Sequence, residues 1–301
     1  MSIFRKVTGL LAAGTLALGL TACAESEENA SGDLGTITLG YLPSWTDGLS
    51  TAHLLDDQLT EMGYTVEHQT LSDAAALYTG MANGDVDIYP SAWPEVTHIE
   101  YWEEYSEGLE DLGSYYEGAA LNISVPEYME DINSVADLEG QGDRFDNTIY
   151  GIEPGAGLTR ATQDDVLPGY GLDDEYNLVT SSTPAMLSEL QSAVDNEEDI
   201  LVTLWTPFWA NNTFPVKALE DPEGHFGEAE ALHFLARAGF AEEHPELAEW
   251  IGEIEMTDEE YNDLEDLVVN EYDDGEESEA IQAWLEQYPD LMPEQPEISE
   301  E

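Results

Sequence analysis

Leu201-Val202-Thr203-Leu204-Trp205-Thr206-Pro207-Phe208-Trp209 decides how this chain is read. Its first half is a short apolar run with β-branched residues, the mark of a buried strand. Pro207 has no N–H for a ladder, so the strand is expected to end there. Trp205 then stands at the carboxyl end of a strand, where open α/β sheets keep their ligand crevices. An indole at that rim is a candidate platform for a ligand.

The segments before it carry the same logic. Thr36–Tyr41 alternates and is β-prone, Leu42–Gly48 is a loop, and Leu49–Met62 has apolar residues at helical spacing up to Gly63. Tyr64–His68 reads as a strand. Ser72 or Asp73 can cap a helix that runs through Met81 to Asn83-Gly84. Val86–Tyr89 is a third strand and delivers Ser91-Ala92-Trp93-Pro94 to its carboxyl end. Strands alternating with helices imply a parallel sheet covered on its faces, with Trp45 and Trp93 on one rim. Tyr115–Pro126 is a crossing strand or hinge, and Ile132–Leu138 a short capped helix. A second unit starts at Thr148–Ile152, passes Glu153-Pro154-Gly155-Ala156-Gly157, and continues as a helix over Leu158–Val166. Leu178–Thr180 is a strand, a helix begins at Pro184 behind Ser182 or Thr183, and Ile200–Leu204 closes the unit at Trp205. After Asn211-Asn212, Phe214–Leu219 is extended, while Glu228–Ala238, Pro245–Glu255, Asp258–Val269 and Glu277–Tyr288 read as helices. Two α/β halves and a helical return predict two lobes with a cleft between them. The corresponding division is 36–120 and 213–292 for the first lobe and 121–212 for the second, with a frayed tail over 293–301.

The 301 residues suffice for two such lobes. The balance of 67 acidic against 6 basic side chains, formal net charge −61, makes nucleic acid and anionic lipid poor partners. So lopsided a surface repels itself at low ionic strength, and salt screens that repulsion. A halophilic or salt-tolerant source fits; an acidic surface kept for solubility alone is the plainer alternative. The first 22 residues read as a removable address: Arg5 and Lys6, an apolar stretch over Val7–Leu20 too short to span a bilayer comfortably, then Leu20-Thr21-Ala22-Cys23. This matches the bacterial lipoprotein box, with Cys23 as the lipidated first residue of the mature chain and 23–35 as a flexible tether. Cys23 is the single cysteine, so an intrachain disulfide is excluded.

A quaternary ammonium group has charge but no N–H to donate, so aromatic faces and dispersion must hold it. Each face contributes about 0.5–2 kcal/mol, so Trp45, Trp93 and Trp205 together give about 2–6 kcal/mol by addition. Micromolar affinity requires about 8 kcal/mol, so a second feature must hold the other end of the ligand. Gly155-Ala156-Gly157, opening a helix, offers amide N–H groups to a carboxylate, or is simply a strand-to-helix turn. Asp47 adds a negative charge beside Trp45, or is a turn or N-cap aspartate. Trp209 is read as packing, and Trp102, Trp250 and Trp284 as core. No G-x-S-x-G, H-E-x-x-H, P-loop or paired-Cys spacing occurs, so neither catalysis nor a cofactor or metal is expected.

These segments resemble the glycine betaine and choline substrate-binding proteins of ABC importers. The likeness is carried by Gly40…Trp45-Thr46-Asp47, Gly84-Asp85-Val86-Asp87…Ala92-Trp93 and Tyr150–Gly157. It continues through Thr180–Leu187, Leu204–Trp209 and Leu219–Gly224. The resemblance implies an α/β, two-lobed, hinged fold of the type II periplasmic binding protein kind, each lobe a mainly parallel sheet flanked by helices. It implies a monomeric, extracytoplasmic receptor, no enzyme, that closes on an osmolyte and docks on a permease with its ATPase. Glycine betaine binders often carry His between the Pro and the second Trp of the last motif; here the position is Phe208. Choline-type members tend to have polar residues where this chain has Ala156 and a Tyr near Leu121. The reading therefore leans to glycine betaine or a related betaine, with a choline-specific binder as the alternative. From other classes, a lipoprotein hydrolase of choline-type esters or a scaffold without a small ligand stay open.

Overall fold

The computed structural model describes residues 34–273, 275–296 and 298. The leader, Cys23 and all of the tether before Leu34 lie outside the described residues. The first half opens with β1 (Thr36–Tyr41), α1 (Thr46–Met62), β2 (Thr65–Thr70), α2 (Ala74–Asn83), β3 (Ile88–Ala92) and α3 (Ile99–Tyr105). In β1, Ile37, Leu39 and Tyr41 fall at alternate positions and are buried, and the helices start and stop at chemical signals. The Asp73 carboxylate accepts from the Ala76 N–H at the start of α2, and Gly63 and Gly84 end α1 and α2 in the left-handed conformation. β1 pairs with β2 and with β3 in parallel, the pairing that connection through a helix permits.

β4 (Leu109–Pro126) is 18 residues long and belongs to both halves. Up to Ala119 it pairs with β9, and from Ala120 it pairs with β7, antiparallel in both cases. The second half holds β5 (Thr148–Tyr150), α4 (Gly157–Arg160), a π turn over Ala161–Val166, α5 (Leu167–Gly169), β6 (Asn177–Val179), α6 (Thr183–Asn196) and β7 (Val202–Thr206). β7 ends at Pro207, as expected, and the Thr206–Pro207 peptide is cis. There follow α7 (Ala210–Thr213), β8 (Val216–Ala218), β9 (Glu230–Arg237), α8 (Phe240–Glu243), α9 (Pro245–Gly252), α10 (Asp258–Asp266) and α11 (Glu277–Gln287). Strand order is β2-β1-β3-β9-β4-β7-β5-β6, with β8 on β4. The sheets are thus parallel at their outer strands and antiparallel around β4 and β9, a mixed rather than mainly parallel arrangement.

Two expectations about the return fail. Glu228–Ala238 is not a helix but contains β9, inserted between β3 and β4. Its Ala/Leu-rich composition favours helix locally, but a strand buried on both faces also reads as a continuous apolar run, and the ladder decides. The chain also does not rejoin the first half at 213. β8 pairs with Ser124–Pro126 in the second half, and the return comes at Glu230. The tail is held rather than frayed at its described residues: the Trp250 indole donates to the Pro293 carbonyl (3.1 Å), Gln295 donates to Glu61 (3.1 Å), and Ile298 packs on the core.

Because β9 is central, its side chains are structural. Phe234 is fully buried and its ring lies 4.8 Å from that of Tyr115. Phe234→Ala is expected to lower stability by about 3–5 kcal/mol, measured by urea unfolding at fixed high salt.

Candidate functional site

Trp45 caps the N-terminus of α1, so Asp47 falls in its first turn, where a carboxylate is favoured by the helix dipole. Asp47 is not the cap. Its side chain is buried and turns to the end of β3: Oδ2 accepts from Ser91 Oγ (2.7 Å) and from Trp93 Nε1 (3.0 Å). Ser91 Oγ also meets the Tyr115 hydroxyl at 2.7 Å. Burial pushes the Asp47 carboxyl above its usual range, and the Trp93 and Ser91 hydrogen bonds oppose that shift.

Behind Asp47 lies a second buried acid. Glu265 of α10 accepts from Thr46 Oγ1 at 2.6 Å. Burial pushes it up to about 8, the Thr46 hydrogen bond opposes this, and the charge of Asp47 adds to it.

Trp93 sits on a turn that Glu230, the first residue of β9, organises. The Glu230 carboxylate accepts the N–H groups of Glu95, Val96 and Thr97 at 2.9–3.1 Å and the Thr97 hydroxyl. The same turn presents His98. Its Nδ1 accepts from the Trp93 N–H (3.3 Å), which leaves Nε2 as the donor. Burial depresses the imidazole to about 3, so it is neutral. The ring stacks on Trp45 at 5.9 Å and 20°.

The second half supplies the opposite wall: Trp205 from the end of β7, Leu121 from β4, and Ile152, Ala156, Gly157 and Leu158 from the β5–α4 connection. With Trp45, Asp47, Trp93, Thr97 and His98 they surround one cavity, about 340 Å³ of empty space including its mouth. Phe208 does not face it. Phe208 is buried and stacks on Trp205 at 3.9 Å and 20°, fixing the indole from behind. Trp209 packs against Phe208 and Phe214. Trp250 and Trp284 are core, and Trp102 is half-buried against it.

The halves touch directly. Glu153, in the second half, accepts from Ser44 Oγ (3.1 Å) and Trp45 Nε1 (3.2 Å) of the first. It is oriented by the Thr183 N–H (3.0 Å) and hydroxyl (2.9 Å). A Cβ on Gly157 would come within 2.1 Å of the Thr97 carbonyl oxygen, so only glycine allows this approach.

Of the residues singled out from sequence, Trp45, Asp47, Trp93, Ala156, Gly157 and Trp205 share the cavity. Gly155 does not. Its carbonyl accepts from Tyr101 (3.0 Å) and it lines an outer groove with Pro154 and Arg160, because the turn before α4 points it outward. His98, Glu153 and Glu265 were missed. Only Glu265 left a trace: Tyr261, Leu264, Glu265 and Val268 form one helical stripe, so an acid lies on a buried face.

A mixed sheet in two halves sharing one strand, closed around a buried aromatic cavity, defines the two-lobed class of periplasmic binding proteins. Residues 35–287 match the family described as the substrate binding domain of the ABC-type glycine betaine transport system, and this chain belongs to it. A glycine betaine/carnitine transport binding protein of Listeria monocytogenes, GbuC, is 36% identical over 151 residues, 50% of this chain and 49% of that protein. The chain thus spans about half the length of that curated relative. Among solved structures, the glycine/betaine/L-proline-binding protein ProX of Borrelia burgdorferi is 31% identical with a TM-score of 0.78, covering 86% of this chain and 97% of that one. Lactococcal OpuAC, closed on glycine betaine, is 30% identical with a TM-score of 0.78, covering 86% and 98%. No helix of the described residues is long and apolar enough to cross a membrane.

Glu265 gives the site a pH signature. The folded chain holds its proton more tightly than the unfolded chain, so stability falls as pH rises from about 4.5 towards 8. Glu265→Gln is expected to flatten that slope and to exceed the parent in stability at pH 8 by on the order of a few kcal/mol. Unfolding by urea from pH 5 to 8.5 at constant salt measures the difference.

Proposed function

We propose that this chain is an extracytoplasmic receptor, anchored through a lipid on Cys23, that encloses glycine betaine or a related betaine and delivers it to an ABC permease and its ATPase. One observation carries the reading: indoles from both halves, Trp45, Trp93 and Trp205, line a single cavity with a buried carboxylate, Asp47, and with no lysine or arginine among the described residues that line it. Such a cavity suits a cation that cannot be hydrogen-bonded, because the ring faces attract it and its methyls fill an apolar space. Asp47 then supplies the formal charge. The ligand's carboxylate is met by the Nε2–H of His98 and by the free amides where the helical segment opens at Gly157. His98 supports the betaine reading despite Phe208, and the apolar Leu121 and Ala156 fit a ligand without a hydroxyl end.

Closure is a rotation about the β4 crossing at Ala119–Ala120 and the later return between Phe226 and Glu230. Glu153 and Gly157 mark the contacts that form when the cleft shuts. In the hydrolase alternative a hydroxyl must meet a base at the cavity. Thr97 is the lining hydroxyl among the described residues, and the Glu230 carboxylate to which it donates already accepts three backbone N–H groups, so the pair is tied up in holding the turn, which favours the receptor.

Isothermal titration at high salt is expected to show binding of glycine betaine, with proline betaine and choline weaker. Absence of heat with all three would sink the proposal. Trp93→Ala and Trp205→Ala should each weaken binding at least about tenfold, the loss of one ring face. Gly157→Ala should weaken it as much or more while leaving the melting temperature of the unliganded protein nearly unchanged, because the added methyl blocks only the shut form.

A further inference from the structure

Three metal-ligating side chains meet on a different face of the first half, and none of them lines the cleft. His53 and Asp56 stand three residues apart on α1, hence on one side of it, and His68 comes from β2. Their donor atoms all lie within 4.8 Å of one another. His68 Nε2 is 3.0 Å from Asp56 Oδ2, and its Nδ1 is 2.9 Å from the Tyr41 hydroxyl. The two imidazole rings are 4.8 Å apart, centroid to centroid. Among the described residues, neither ring nitrogen of His53 has a hydrogen-bond partner. Glu277, at the start of α11, is close enough for its charge to act on both imidazoles. The cluster is half-buried, with the His68 side chain 22% and the Asp56 side chain 37% exposed, so an ion can enter from solvent.

We infer that His53, Asp56 and His68 form a binding site for one divalent cation of the zinc type. Two imidazoles and one carboxylate are donors for Zn²⁺, Co²⁺ or Ni²⁺ and poor donors for Mg²⁺ or Ca²⁺, which demand oxygen. Bonds of about 2.0–2.2 Å to a tetrahedral ion set donor atoms about 3.3–3.5 Å apart. Small side-chain rotations bring this cluster to that spacing. Tyr41 completes the arrangement: with Nε2 on the ion, His68 carries its proton on Nδ1 and donates it to the phenol oxygen, the outer contact that orients a metal-bound histidine. Without the ion, Nε2 bonds to Asp56 and Nδ1 to Tyr41. Water fills the open position. The ion pins α1 to β2 and offsets acid–acid repulsion at that face.

The test is titration of untagged, chelator-stripped full-length protein with Zn²⁺ and Co²⁺ in concentrated KCl, followed by calorimetry and by the visible spectrum of the cobalt form. One saturable equivalent is expected, with the absorption of a nitrogen-ligated Co²⁺ and an upward shift of the melting temperature. His53→Ala and His68→Ala should each weaken binding at least about 100-fold, and Tyr41→Phe about tenfold. Asp56→Asn, which keeps the shape of the side chain, is the second variant should either histidine replacement fail to fold; at least tenfold weaker binding supports the site. Binding that survives both histidine substitutions, or that Mg²⁺ at equal concentration displaces, would show diffuse capture by surface carboxylates and overturn the inference, as would the absence of a saturable equivalent.

Discussion

Asp47 is the constraint around which the cleft is built. It is 3% exposed, and no lysine or arginine among the described residues pairs with it. A buried carboxylate must be hydrogen-bonded or neutralised. Ser91 and Trp93 provide the bonds, and in doing so they fix the Trp93 ring. Tyr115 fixes Ser91, so β4 is tied to the same carboxylate. The cost of burying Asp47 is therefore met in part by Trp93, which is itself part of the wall of the cavity.

The second buried acid, Glu265, extends the network backwards. It bonds to Thr46, between Trp45 and Asp47, so α10 supports the start of α1. Two carboxylates this close cannot both ionise cheaply, and burial leaves Glu265 as the one that keeps its proton. On the opposite side, Glu153 is held by Thr183 and reaches across to Ser44 and Trp45. Three acids thus hold the aromatic box from below, behind and across. In a chain of 67 acidic residues, these three, like Glu230, are buried or half-buried and hydrogen-bonded rather than solvated.

The local pattern carried most of the first half. Asp73 and Ser182 cap helices as capping chemistry requires, Gly63 and Gly84 stop them, and Pro207 ends β7. Six of the seven candidate cleft residues converge, because strand-end loops in α/β folds share one rim. Gly155 fails because a one-residue difference in a turn reverses direction, which spacing alone does not specify. β9 fails because Glu230–Arg237 has helical composition, and only its place between two strands makes it extended.

The sequence by itself determined the alternation of strands and helices, the acidic surface, and the indoles carried to strand ends, because each follows from local periodicity, charge or turn chemistry. The tertiary structure alone decided that β9 crosses back late and that His98, Glu153 and Glu265 join the cleft. Those partners lie up to 219 residues apart, and contacts over such separations depend on how whole elements pack, which no window of sequence contains.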